Sequence, residues 1–340
     1  MVLQQQRDLL DHTLTYPHKL PAEERFTLDN GVRVHLSDVG VLTLEPSEET
    51  RQDVVLSAGV HGNETAPIEM LNSLVKELLS GHRPLKSRLL VLLGNPAAMV
   101  AGKRELEVNL NRLFSGAHRQ GSSDEHRRAA LLEQRVRGFF EAGGEGRARF
   151  HYDLHTAIRD SQREKFAIYP FRHGRPWRWQ QIDFLASGGV NTILLSHSPT
   201  TTFSYFSSNE FGADAFTVEL GKVHPFGKND LSRLEALKAQ LGRLLAEQPL
   251  ALEQVNRDEV TVFDVAQVID KHSDKFAFTF EDNAANFTPF PRGHLLATDG
   301  DKAHHVKAEQ EAIVFPNAKV ANGQRALLTV VPVGSDQPFE

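Results

Sequence analysis

The sequence predicts an α/β fold: a mixed sheet flanked by helices over residues 1–250, followed by a smaller all-β domain over 251–340. Three observations carry this. Short, nearly all-apolar runs at 54–60 and 88–95 read as buried strands. Segments with apolar residues at helical spacing lie between such runs, so strands and helices alternate up to about residue 248. From about Val255 the chain changes to short alternating stretches parted by Gly, Pro, Asn and Asp clusters, with no convincing helix.

Each element has a local reason. Residues 25–45 alternate with period two around Asp29-Asn30-Gly31, and Asn-Gly favours the positive φ of a tight hairpin turn. After the strand at 54–60, Pro67 opens a helix with Ile68, Leu71, Leu74, Val75, Leu78 and Leu79 on one face, and Gly81 stands just past its end. The strand at 88–95 precedes a helix at 125–142. Further strands are expected at 147–155, 166–170, 192–196 and 215–220. Asp230 is placed to cap a long amphipathic helix reaching about Glu247, with Leu231, Leu234, Leu237, Leu241, Leu244 and Leu245 along it.

Composition excludes several classes of function. The 340 residues contain no cysteine, so a disulfide framework, a thiol nucleophile and a thiolate metal site are ruled out. A net charge of −6 disfavours nucleic-acid binding, which needs a basic face. The apolar runs fall far short of the roughly 18–20 residues that span a bilayer, so no membrane partner is expected. The N-terminus has no basic stretch followed by an apolar one, so no signal peptide is expected and the default expectation is a cytoplasmic protein.

Four short segments carry chemistry. His61-Gly62-Asn63-Glu64 follows a buried strand and precedes a helix, beyond the carboxyl end of a strand, where α/β sheets bind ligands. Imidazole and carboxylate three residues apart on such a turn can point at one cation, although His-x-x-Glu is also common as plain surface polarity. Asp153 and His155 end the strand at 147–155 and project from one face of it. His155 is the candidate third metal ligand, and Asp153 can orient an imidazole by accepting its other N–H. The alternative for His155 is a satisfied core histidine. Glu219 ends the apolar strand at 215–220, where it can serve as a proton acceptor or be a solvent-facing carboxylate with Lys222 nearby. Arginine and asparagine donors cluster over residues 103–112. They suit a substrate carrying carboxylates, or they are solvated loop charges. His118, His126, His173, His304 and His305 lie in polar contexts and read as surface.

Taken in order, His61-Gly62-Asn63-Glu64, Asn109-Leu110-Asn111-Arg112, Asp153-Leu154-His155 and Glu219 resemble the aspartoacylase/succinylglutamate desuccinylase branch of the zinc carboxypeptidase-like hydrolases. Supporting stretches run from about residue 26 to the end of the chain. The resemblance implies one Zn²⁺ per chain, held by His61, Glu64 and His155, with Glu219 as the catalytic glutamate. It further implies that Arg104 polarises the scissile carbonyl and that Asn111 and Arg112 grip the substrate α-carboxylate. Arg159 is the candidate for a further substrate carboxylate. The implied reaction is hydrolysis of N-succinyl-L-glutamate, a small-molecule substrate, to succinate and L-glutamate, the last step of arginine catabolism by the succinyltransferase route. The C-terminal domain is expected to cover the cleft. Asn109 stands where the family usually carries Asp, and it is expected to touch none of the ligands. Three readings compete: an aspartoacylase-type amidohydrolase on another N-acyl amino acid, a metallocarboxypeptidase, and a metal-stabilised binding module without catalysis.

Overall fold

Gly31, at φ +83°, turns the chain between β1 (Glu24–Thr27) and β2 (Arg33–Asp38), which pair antiparallel as the Asn-Gly signal requires. A third antiparallel strand, β3 (Val41–Glu45), follows. The computed structural model describes residues 2–250, 252–333 and 339–340; Met1, Ala251 (the first residue of the expected C-terminal domain) and 334–338 lie outside the described residues. Two helices that the sequence reading did not identify, α1 (Val2–Gln6) and α2 (Leu9–Thr15), precede β1.

The expected alternation then unfolds as β4 (Gln52–Ala58), α3 (Thr65–Leu79), β5 (Arg88–Leu93), α4 (Pro96–Ala101), α5 (Asp124–Gly143) and β6 (Ala148–Ala157). It continues as β7 (Lys165–Tyr169), α6 (Trp179–Ser187), β8 (Thr192–Leu195), α7 (Phe203–Phe211), β9 (Asp214–Lys222) and α8 (Glu235–Leu245), with α4, α6 and α7 outside the helices expected from the sequence. The helix expected to start at Asp230 begins instead as a 3-10 turn over Leu231–Leu234, with Asp230 accepting from the Ser232 N–H, and turns α-helical only from Glu235.

β5, β4, β6 and β9 run parallel in that spatial order and form the centre of a mixed sheet. Period two along each strand separates its two faces. Val54, Leu56, Ala58, Tyr152 and Leu154 pack with α3, α6 and α8 on one side, while Val55, Leu90, Leu92 and Ala215 pack with α5 and α7 on the other. Each fully buried Leu or Val on these faces contributes roughly 1.5–3 kcal/mol. β6 differs from its neighbours. Its α7-facing residues are His151, Asp153 and His155 rather than aliphatics, and His151 meets the Phe203 ring edge-on at 4.7 Å.

The C-terminal strands are β10 (Thr261–Asp270), β11 (Ala277–Phe278), β12 (Thr288–Phe290), β13 (Leu295–Asp299), β14 (Lys302–His305), β15 (Glu311–Val314) and β16 (Arg325–Pro332). β10 pairs in parallel with β8, so the main sheet continues through β10, β16, β15 and β12 to thirteen strands, while β11, β13 and β14 form a separate small sheet. No helix among the described residues is long and apolar enough to cross a membrane.

Candidate active site

The turn between β4 and α3 carries His61 and Glu64, and two close approaches shape it. At Gly62 a Cβ would lie 2.3 Å from backbone atoms of Ala98 and Met99, and the Gly62 N–H donates to the Arg104 carbonyl at 3.0 Å. At Gly94 a Cβ would lie 2.6 Å from Val60 Cα. The turn is therefore pressed between the residues after β5 and the start of α4, which aims both side chains at the carboxyl end of β6.

There they meet His155. His61 Nδ1 lies 2.9 Å from Glu64 Oε1, His155 Nδ1 lies 2.9 Å from Glu64 Oε2, and the two Nδ1 atoms are 3.2 Å apart. All three residues are at most 3% exposed. Both imidazoles commit their other nitrogen elsewhere: His155 Nε2 to Asp153 Oδ2 at 2.8 Å, and His61 Nε2 to Asn109 Oδ1 at 3.0 Å. An imidazole that donates from Nε2 offers a lone pair at Nδ1. The two Nδ1 atoms, which offer lone pairs when the rings are neutral, and a carboxylate therefore converge on one point, with these atoms within 4.8 Å of one another. That donor set fits a divalent transition-metal ion.

Charge within the cluster follows from its contacts. Burial works against ionisation of Glu64, yet the adjacent His61 and His155 hold it well below the usual carboxylate range. Burial lowers His155, but the Asp153 and Glu64 carboxylates overcome this and hold it well above the ordinary histidine value. At His61 burial outweighs Glu64 and pulls the value down. Asp153, although buried, is held low by His155, His151 and Ser57.

Glu219 is not at a strand tip as the sequence reading placed it. β9 continues to Lys222, and Glu219 sits inside the strand in register with His155 on the neighbouring parallel strand, so the two side chains share a face. Glu219 is 8% exposed, and its Oε2 is buried without a hydrogen-bond partner among the described residues. Burial, with the Glu64 charge beside it, pushes its pKa up to about 7.

Arg104 Nη1 contacts Glu64 Oε1 at 2.6 Å, which brings this arginine to the cluster. Asn111 is buried, and its Oδ1 accepts from the Phe203 N–H at 2.9 Å, tying its loop to the start of α7. Arg112 lies on the same loop and donates to the Asn111 carbonyl at 3.0 Å. Arg112 is exposed, yet the protein around it and the nearby Arg325 and Arg104 pull its pKa down to about 10. Arg159 donates to the backbone carbonyls of Asp282 and Ala284 in the C-terminal domain.

Asn109 corrects one expectation. Its Oδ1 accepts from His61 Nε2 and also from the Asn111 N–H at 3.0 Å, so it touches a candidate ligand directly and joins His61 to the loop carrying Asn111 and Arg112. The sequence reading also missed Ser57, His151 and Ser207 beneath the cluster, and Arg325, which β16 brings near Arg112. The period-two series His151, Asp153, His155 was the available signal for the first group. A cavity of about 460 Å³ at the opposite, amino end of β6 is lined by Arg147, Arg149, Arg178 and Asp214. Its arginines are already bonded to Asp53, Asp214 and backbone carbonyls.

Residues 50–245 match the succinylglutamate desuccinylase/aspartoacylase catalytic domain, and residues 258–333 match the AstE/AspA barrel-sandwich hybrid domain. The chain is 50% identical over 329 residues to the succinylglutamate desuccinylase of Shewanella sp. strain MR-7, covering 96% of each. It is also 50% identical over 338 residues to that of Shewanella amazonensis, covering 97% of each. Among solved structures it is similar to the succinylglutamate desuccinylase of Vibrio parahaemolyticus (TM-score 0.90, 37% identity, 96% of each chain). The enzyme of Vibrio cholerae is likewise similar (TM-score 0.89, 35% identity, 97% of each chain).

Proposed function

The chain belongs to the succinylglutamate desuccinylase/aspartoacylase family, and on that premise we propose that it hydrolyses N-succinyl-L-glutamate to succinate and L-glutamate, the last step of arginine catabolism by the succinyltransferase pathway. The observation that carries this reading is the unpartnered, buried Glu219 carboxylate, in strand register with His155 beside the His61-Glu64-His155 cluster. In this proposal His61, Glu64 and His155 hold one Zn²⁺ per chain. Bound Zn²⁺ supplies a Lewis acid that activates water at neutral pH and polarises a carbonyl.

The chain's own groups do the rest. Glu219 takes the proton of the attacking water and later delivers it to the leaving amine. A carboxylate whose pKa is raised to about 7 can take up and release a proton near neutrality. Arg104 directs its guanidinium at the oxygen that gains charge as the amide carbon becomes tetrahedral. Losing one such donor typically costs about 10²–10³ in rate. Asn111 and Arg112 hold the substrate α-carboxylate. Arg159 takes another carboxylate and releases the Asp282 carbonyl to do so. Asp153 accepts from His155 and keeps its ring aimed.

The substrate carries three carboxylates, each of which needs a charged partner once desolvated. Arg104, Arg112 and Arg325 supply mutually repelling guanidinium groups that an anion relieves. In this reading residues 1–250 form the catalytic domain and 251–340 cover the cleft, restricting it to small acyl amino acids. The setting is the cytoplasm and the partner a dissolved small molecule rather than nucleic acid or lipid, in keeping with the net charge of −6.

The test is succinate release from N-succinyl-L-glutamate, compared by kcat/KM with N-acetyl-L-aspartate and a C-terminal-glutamate dipeptide, with and without a chelator. The expected result is a preference for the succinylated substrate of at least about 10²-fold, consistent with the cost of leaving a charged group unpaired, and abolition by the chelator. Preference for either competitor, or chelator-insensitive turnover, overturns the proposal.

A further inference from the structure

Beneath the ligand cluster lies a set of polar side chains that the reaction above does not use. Ser57 in β4, His151 in β6 and Ser207 in α7 are each fully buried. They form an unbranched series of contacts. Ser207 Oγ lies 2.7 Å from His151 Nδ1, His151 Nε2 lies 2.9 Å from Ser57 Oγ, and Ser57 Oγ lies 2.5 Å from Asp153 Oδ1. The second oxygen of Asp153 faces His155 Nε2, and His155 Nδ1 faces the cluster.

The protons along this series have one consistent placement. An ionised carboxylate only accepts, so the Ser57 hydroxyl donates to Asp153. A hydroxyl has a single proton, so Ser57 Oγ accepts from His151, which must carry its hydrogen on Nε2. Burial keeps His151 neutral, pushing its pKa down to about 4. Its Nδ1 is then a bare acceptor for the Ser207 hydroxyl. Every donor from Ser207 to Ser57 points towards Asp153, which also accepts from His155 Nε2.

We propose that Ser207, His151 and Ser57 are positioning residues: a directional hydrogen-bond relay that fixes the Asp153 carboxylate and, through it, the tautomer and aim of His155. Its position argues for a role beyond filling space. Phe203 meets the His151 ring edge-on and Phe206 packs in the same apolar cluster, and burying polar groups there is costly unless all are paired. α7 also reaches the other functional elements. Its Phe203 N–H holds Asn111, and Ser204 Oγ lies 2.8 Å from Thr217 Oγ1 on the strand that carries Glu219. One helix thus braces a ligand, the substrate loop and the general base.

This inference rests on His155 being a metal ligand, and the experiment separates the two. Imidazole ¹⁵N shifts of the unsubstituted, metal-free chain are measured, with His151 recognised as the ring whose Nδ1 responds to Ser207→Ala. The expected state is Nε2–H with an unprotonated, hydrogen-bonded Nδ1. Zinc ion alone is then titrated in competition with a chromophoric chelator. Ser57→Ala should weaken zinc binding by about 10–100-fold, the usual effect of losing an outer-shell partner, and Ser57→Thr, which keeps the hydroxyl, should restore most of it. If the unsubstituted chain binds no zinc, the metal-site reading itself fails. If it binds zinc but Ser57→Ala matches it within twofold, or His151 is the Nδ1–H tautomer, the relay is overturned while the metal site stands. The tautomer measurement decides the matter even if Ser57→Ala does not fold.

Discussion

Gly62→Ala is the substitution that most directly probes how the β4–α3 turn aims its ligands. A Cβ at this position would lie 2.3 Å from the Ala98 carbonyl carbon and the Met99 nitrogen, which are backbone atoms and cannot swing aside. Reaching an ordinary contact of about 3.4 Å requires a shift of about 1 Å, and overpacking of this kind typically costs about 1–3 kcal/mol. Zinc ligation tolerates only about 0.2 Å of displacement, so His61 and Glu64, flanking the glycine by one and two residues, cannot both stay in place. The expected outcome is zinc binding at least about 100-fold weaker, judged against the 10–100-fold losses from disturbing outer-shell partners alone, with a lower melting temperature of the metal-free chain. Competition against a chromophoric chelator reads the first and a thermal melt the second. Zinc affinity within threefold of the parent would refute the argument that this close approach positions the ligands.

Three further outcomes are expected. Glu219→Gln should lower kcat by at least about 10³-fold, within the usual range for removing a general acid–base, while equilibrium dialysis shows zinc retained; near-normal turnover would remove Glu219 from that role. Asn109→Asp should give His61 Nε2 a carboxylate partner and tighten zinc binding by about tenfold, since such partners raise ligand basicity; unchanged or weaker binding in the competition assay would count against it. His151 has a folded pKa near 4, below its unfolded value near 6.5, so the unfolded chain binds more protons between these values. Its contribution is complete above pH 6.5 and is lost as pH falls towards 4, up to about 3 kcal/mol. Urea melts at pH 7.5 and pH 5.0 should therefore show a smaller pH-dependent loss in His151→Gln than in the parent, and equal losses would contradict it.

Where a local rule governs an element, the sequence was legible. Asn30-Gly31 placed the hairpin, Gly81 the end of α3, and the apolar runs the central strands, because turn chemistry and burial act within a few residues. α7 was not legible: Phe203 to Ser208 are all buried, so no polar face marks a helical period, and serines and aromatics are indifferent helix formers. The pairing of β10 with β8 joins strands about 70 residues apart and leaves no local trace. The convergence of His61, Glu64 and His155 was readable from motif and strand period, whereas the contact between Asn109 and His61 depends on how a loop folds back over 48 residues. The contacts of Arg159 with the Asp282 and Ala284 carbonyls join residues more than 120 positions apart and likewise leave no local trace.

The continuity of the sheet into the C-terminal strands has a mechanical consequence. β10 is stitched to β8 over four register pairs, from Thr261 opposite Thr192 to Asp264 opposite Leu195. Phe166 and Leu194 share one apolar cluster with Phe263, Phe287, Leu328 and Val330 across the same seam. A flap hinged at this junction could open only by tearing a parallel ladder and wetting that cluster. On the proposed reading, in which these strands cover the cleft, the cover is a stationary wall, and admission is a matter of girth and charge rather than of its opening.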